Sequence, residues 1–294
     1  MQGAWLQFVA GGLTAGAIYA LVALGFSIVY NTSHAINFAQ GEFVMLGGMG
    51  AVALVGFGLP LPVAVLGAVA GAGLVGLLVQ RLALEPAQVS GRADVTTLII
   101  ITIGVSLFLR GAAQVVWDKR IHPLPAFSGS EPLSFGGASL LPQSLWVLLG
   151  TSFAVLCLSW FFGRTLAGKA MRATAINAQA AQLMGVSTRV VMRASYALAA
   201  LLGAFGGVLI APIAFTSYDA GVMLGLKGFA AAMLGGLGSF GGAVAGGLLL
   251  GLLEAFGAGF VSSAYKDAIA FVVILAVLFF MPGGLAGARG SERV

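Results

Sequence analysis

"MQGAWLQFVAGGLTAGAIYALVALGFSIVY", residues 1–30, contains no Lys, Arg, Asp or Glu. A helix needs about 20 apolar residues to cross roughly 30 Å of hydrocarbon, and this run exceeds that. A cleavable signal peptide has a basic n-region and a short apolar core. This stretch has neither, so it reads as a transmembrane helix. The rest of the chain agrees: 60% of its 294 residues are hydrophobic and 8% are charged, against roughly 25% charged in soluble domains. A surface so poor in hydrated groups must face mostly lipid, which excludes a soluble enzyme or binding module. The net charge of +5 then bears on orientation rather than nucleic acid, and no basic cluster with interleaved aromatics argues otherwise.

Working outward from residue 30, hydropathy predicts spans at 5–30, 41–58, 60–80, 97–117, 144–162 and 190–211, and a final one near 267–284. Between them, the Gly-rich block 224–262 is too long for one crossing. It reads as two short helices broken at "GSFGG" (238–242), or as a re-entrant segment plus a helix. The expected fold is therefore all-α, a polytopic transmembrane helical bundle of eight or nine spans in one domain over 1–294. Lys and Arg concentrate in cytoplasmic loops. Segment 163–193 has five basic and no acidic residues, and Arg81 and Arg92 lie two spans upstream. Arg289 and Arg293 favour a tail on the same side and hence nine crossings, with eight left open. Trp5, Trp117 and Trp146 fall near span ends, as an aromatic belt requires.

Glycine contributes 45 residues, about twice the ordinary share. Pairs four apart recur at Gly12/Gly16, Gly67/Gly71, Gly203/Gly207, Gly242/Gly246 and Gly247/Gly251; such pairs let helix backbones approach closely in lipid. "MLGGMG" (45–50) is echoed by "MLGGLG" (233–238), each after a polar interruption. Internal repeats with broken helices are a transporter architecture.

The polar groups are few. "HAINFAQGEF" (34–43) holds Glu42, the first charged residue of the chain. The carboxylate suits the first turn of a helix. It also suits, with Asn37, Gln40 and Gly41, an irregular break facing a water-accessible cavity, where non-helical backbone is tolerated at membrane depth. A second interruption, "TSYDAGVMLGLKG" (216–228), would face it with Asp219 and Lys227. Arg110 and Glu254 lie deeper in apolar runs. Arg110 can snorkel to the interface, while Glu254 is expected to find a cation or an inner cavity. The lone Cys157 excludes an internal disulfide, and His34 and His122 are too isolated for a metal site. No G-x-x-x-x-G-K-[ST] loop is present, so the chain does not bind ATP in that manner.

In 163–193, an Ala-rich helical run (175–184) ends at Gly185, and a second segment starts near Ser187 and Thr188, both N-cap types. A short surface helix with small side chains suits docking in a partner's groove. "QAAQLMG" (179–185) resembles the EAA-xxx-G coupling motif of ABC importer permeases, with Gln179 in the acidic position. "GLTAGAIYALVALGFSIVYNTSHAINFAQGEFVMLGG" (12–48) closely resembles the N-terminal signature of branched-chain amino acid permeases of the LivH type, and 225–254 resembles that family's C-terminal half.

That resemblance implies one of two unequal permease subunits forming a path in a bacterial inner membrane. It also implies two cytoplasmic ATPases docked around 168–188 and a periplasmic substrate-binding protein. Gly168, Lys169, Arg172, Gln179, Ala180, Ala181 and Gly185 would couple to the ATPases. Asn37, Gln40, Gly41, Glu42, Asp219, Lys227 and Glu254 are the candidate path residues. The chain would have no catalytic activity, metal or cofactor of its own, since its partners would hydrolyse ATP. Gln40 stands where the family often has His. Urea, short-amide and small organic-acid permeases resemble the same family, so the substrate stays open among these. An ion-coupled carrier using Glu42 and Glu254 is the rival from another class.

Overall fold

A computed structural model describes residues 2–90, 94–129, 131–135, 138–260, 262, 266–281 and 283–286. Arg92, Arg289 and Arg293, used above for orientation, lie outside them. Helix α1 (Gln2–Ser33) is followed by α2 (Gln40–Gly56) and α3 (Leu61–Val79). A π-helical turn, Gln80–Leu84, leads into α4 (Glu85–Val89), and α5 (Val95–Trp117) follows. After a two-stranded hairpin come α6 (Pro142–Arg164), α7 (Leu166–Ile176), α8 (Ala178–Leu183) and α9 (Thr188–Ala214). Three helices close the described chain: α10 (Ala220–Gly235), α11 (Phe240–Phe260) and α12 (Lys266–Phe280). Six helices are long and apolar enough to cross a membrane, and α2 and α10 are shorter apolar helices. Large apolar side chains such as Leu66, Leu107, Phe153 and Val272 are exposed, as a lipid-facing surface requires.

Several expectations need correction. The connection after α3 is not a loop from residue 81, because helical structure continues to Val89. Glu85 holds that extension in place: its carboxylate accepts two 2.8 Å hydrogen bonds from Arg193 and lies 3.3 Å from Arg189. Bidentate geometry of this kind is the stronger form of ion pair. The block 224–262 does divide into two helices, but the break is at Gly236–Ser239, where Gly236 and Gly238 take positive φ of 95° and 90°. The fold is not purely α: β1 (Leu133–Phe135) pairs antiparallel with β2 (Ala138–Leu140) in the α5–α6 connection. The two "MLGG" hexapeptides also occupy unlike places, one inside α2 and the other ending α10.

Helix α1 is the buried axis, packed against α11, α9, α10 and α6. Its Gly12 and Gly16 lie against Gly251–Leu252 and Gly247–Leu248 of antiparallel α11. On α9, Gly203 and Gly207 receive α2: a methyl group on Gly207 would overlap the Val44 carbonyl. Lipid provides no hydrophobic drive between helices, so dispersion at such backbone contacts must hold the bundle. Gly71, by contrast, faces open space.

The α5–α6 connection is tied down. His122 and Thr216 exchange backbone hydrogen bonds of 2.8 and 3.0 Å. Gln143 accepts from the Phe127 N–H at 3.2 Å and donates to the Leu209 carbonyl at 2.9 Å. These bonds anchor the connection to the end of α9.

The packing predicts a contrast between two glycines. Gly207→Ala should force α2 from α9 and cost about 1–3 kcal/mol, the usual range for overpacking. Gly71→Ala should be neutral or stabilising by up to about 1 kcal/mol through helix propensity. Melting temperatures of the purified chain in one detergent check both, with Gly207→Ala expected to be lower by several degrees.

Candidate functional site

The break between α1 and α2 is built from its own polar residues. His34 takes a left-handed φ of 52° and turns the chain out of α1. Asn37 Oδ1 accepts the Ala39 N–H at 3.1 Å, and the Asn37 carbonyl accepts the Gln40 N–H at 3.1 Å, so α2 starts at Gln40. Thr102 of α5 pins the break: its hydroxyl accepts the Phe38 N–H at 3.2 Å. Gly41 then meets Gly221 and Gly225 of α10, with backbone atoms so close that no side chain fits. The result carries Glu42 against Ser106, the middle residue of α5, and therefore deep in the bundle.

Glu42 is almost wholly buried. Its Oε1 accepts a 2.8 Å hydrogen bond from Ser106 Oγ, and its buried Oε2 has no partner. It lines a cavity of about 230 Å³ with Ser106 and Arg110 of α5, Gly41, Gly221 and Gly225, and the aromatic walls Phe26, Phe38 and Phe229. Arg110, expected to snorkel, instead lines this cavity and acts on Glu42 electrostatically, as does Asp219. Asp219 is exposed at the start of α10 and accepts from Ser217 Oγ at 2.6 Å. Gln40 points elsewhere. Its amide is fully buried, donates to the Ala199 carbonyl at 2.9 Å, and fills the notch over Gly25 and Gly203.

Lys227 and Glu254 form a second site. Glu254 has found a cation: Lys227 Nζ lies 2.8 Å from its Oε1, and Tyr19 donates to its Oε2 at 2.7 Å. Lys227 also lies 2.6 Å from Asp267, and Lys266 is 3.9 Å from Glu254. Two carboxylates and two ammonium groups thus balance where α1, α10, α11 and α12 meet. Lys227 is two turns beyond Asp219 on α10, so the two polar residues of "TSYDAGVMLGLKG" serve different clusters.

The segment between α6 and α9 is a chain of short capped helices. Thr165 accepts the Gly168 N–H at 3.0 Å and starts α7; Gly168 is buried against the backbone of Phe161 and Phe162. Asn177 Oδ1 accepts the Ala180 N–H at 2.9 Å and starts α8, so the predicted run 175–184 is divided at Asn177. Gly185 ends α8 with φ +86°, and Ser187 precedes α9 without a side-chain cap bond. Ala181 is buried, whereas Lys169, Arg172, Gln179 and Ala180 are exposed. Ile176, Leu183 and Met184 are each more than 80% exposed. Ile176 ends α7, Leu183 ends α8 and Met184 follows it, so three exposed apolar side chains stand around α8 between basic flanks.

Sequence reading missed Ser106, Tyr19 and the three phenylalanines. A signal for the first was present: Thr102, Ser106 and Arg110 repeat at four-residue spacing, a polar stripe on one face of an apolar helix. Glu85 was also overlooked, because the partners that make it structural lie on α9.

Comparison with known proteins fits this architecture. Residues 8–278 match the family described as "Branched-chain amino acid transport system / permease component". The chain is 33% identical to the high-affinity branched-chain amino acid permease protein LivH of Escherichia coli, over 99% of this chain and 98% of that protein. It is 32% identical to BraD of Pseudomonas aeruginosa over the same shares. It is also 30% identical to the galactofuranose transporter permease YtfT of Escherichia coli, over 84% of this chain and 67% of that protein. The fold and these relatives define a multi-pass membrane permease of the ABC importer class. The chain belongs to the branched-chain amino acid transport system permease family.

The ion cluster gives a stability prediction. Removing one partner of a buried pair costs about 3–5 kcal/mol, whereas neutralising both costs far less. Lys227→Met should sharply lower the yield and melting temperature of the detergent-purified chain. Lys227→Met with Glu254→Gln should recover most of the loss.

Proposed function

We propose that this chain is one permease subunit of an ATP-driven importer of branched-chain amino acids in a bacterial inner membrane. It would form the path with a second permease subunit and receive substrate from a periplasmic binding protein. In this reading α1, α2, α3, α5, α6, α9, α10, α11 and α12 give nine crossings, with 163–193 and the C-terminal tail in the cytoplasm. No soluble domain or resident cofactor is needed, since two partner ATPases hydrolyse the ATP.

The observation that carries this reading is α8. Three exposed apolar side chains, Ile176 at the end of α7 and Leu183 and Met184 at the end of α8, flanked by Lys169, Arg172 and Arg189, have no use in a carrier that works alone. They suit insertion into a groove on an ATPase. Gly185 leads from α8 into α9, which the Glu85–Arg193 pair ties to α4 and which packs directly on α2. Motion of the ATPases would thereby reach the helix that bears Glu42. ATP binding biases a two-state bundle only through such differential contacts. The family's usual His is Gln40 here, yet that side chain is turned away from the cavity, which favours an amino acid over a urea or amide substrate.

The test is co-purification and uptake. Leu183→Asp and Met184→Asp alter exposed side chains, so the chain should still reach the membrane while losing its ATPase partners on mild-detergent isolation. Gly185→Pro puts a residue restricted to φ near −65° at +86°, and should lower ATP-driven uptake at least tenfold. Retained uptake in vesicles without ATP, in any of these variants, would favour the ion-coupled carrier instead.

A further inference from the structure

The cavity beside Glu42 offers separate charges of opposite sign at a small apolar space. Its roughly 230 Å³ lies below the roughly 300–1,000 Å³ of pockets for drug-sized ligands, which leaves room for a small solute. One oxygen of Glu42 is satisfied by Ser106 and the other, buried, is not. Leaving a buried acceptor unpaired is costly, and Glu42 is among the residues that line the cavity. Among the described residues, Glu42 and Arg110 are not joined by a salt bridge, although both line the space. Arg110 stands one turn from Ser106 on the same face of α5, and its planar fork of donors matches a carboxylate. The rest of the wall is apolar and includes three aromatic rings: the Phe229 ring is 5.6 Å from Phe26 and 5.9 Å from Phe38.

We propose that this cavity is a transit subsite for a zwitterionic aliphatic α-amino acid. The Glu42 carboxylate accepts the ammonium group, Arg110 binds the carboxylate, and the aliphatic side chain lies on Phe26, Phe38 and Phe229. The assignment rests on the importer reading above and goes beyond it by giving each end of the substrate a residue. The charges select this class. A urea or amide has no formal charge for either group, and an organic acid would satisfy Arg110 but meet Glu42 as a like charge. The open side of the cavity passes between exposed Ile103 and Leu107 of α5 and Leu226 of α10, so a neighbouring subunit on this face would complete the passage.

The experiment uses the complete complex in liposomes, with leucine-loaded binding protein outside and ATP inside. Glu42→Gln and Arg110→Gln should each lower the maximum uptake rate at least tenfold. The KM for loaded binding protein should stay within twofold, because that protein docks outside the bundle. Glu42→Asp and Arg110→Lys keep the charges and should give rates between those of the neutral variants and wild type; they also serve if a neutral variant fails to assemble. Wild-type rates in the neutral variants, a loss confined to KM, or equal loss in neutral and charge-retaining variants would each overturn the subsite. A wild-type complex that moves no leucine would overturn the importer reading itself, a result distinct from active wild type with active variants.

Discussion

The close crossing of α2 on α10 governs the middle of this protein. Gly41 lies against Gly221 and Gly225 with no room for a β-carbon on either side. That contact holds two short helices, 17 and 16 residues long, whose lengths of about 25 Å fall short of a comfortable span. A short helix that follows a break leaves backbone groups to be satisfied inside the membrane. Asn37 and Thr102 supply those partners for α2, and the break becomes a stable feature. Without the glycine crossing, Glu42 would have no fixed direction, and the cavity between α1, α5 and α10 would not exist.

Charge follows the same economy. Each buried charge in the described bundle has company of a definite kind. Lys227 and Glu254 neutralise one another within a cluster bracketed by Asp267, Lys266 and the Tyr19 hydroxyl. Glu85, only half-buried, is taken by two arginines at the start of α9. Glu42 differs, since it has a hydroxyl on one oxygen and nothing on the other, with Arg110 across a space. Two of these arrangements are closed and join helices. The third borders a cavity and leaves one carboxylate oxygen without a partner among the described residues.

Much of this architecture was legible in residues 1–294. The helical class, the long apolar helices, the two breaks and the glycine stop before α9 follow from hydropathy, glycine spacing and cap residues, because those signals depend on local sequence. The helical continuation through Gln80–Leu84 was not legible, because its stabilising partner, Arg193, is distant in sequence. The strands Leu133–Phe135 and Ala138–Leu140 escaped notice because each is only three residues long, although the sequence places Gly-Gly between them, a hairpin signal. The grouping of site residues escaped as well. Gln40 and Glu42 are two residues apart yet face α9 and α5 respectively.

By itself the sequence determined that the chain lives in lipid, where its helices run, and which few polar groups must be accounted for. The free energy of placing each segment in hydrocarbon depends on that segment alone. Only the tertiary structure decided that Lys227 belongs with Glu254 while Asp219 stays exposed beside Ser217, that Arg110 lines the Glu42 cavity, and that Gln40 is packing rather than lining. Those outcomes depend on which helix faces meet. In lipid that choice is made by close backbone contact and charge pairing between residues far apart in the chain.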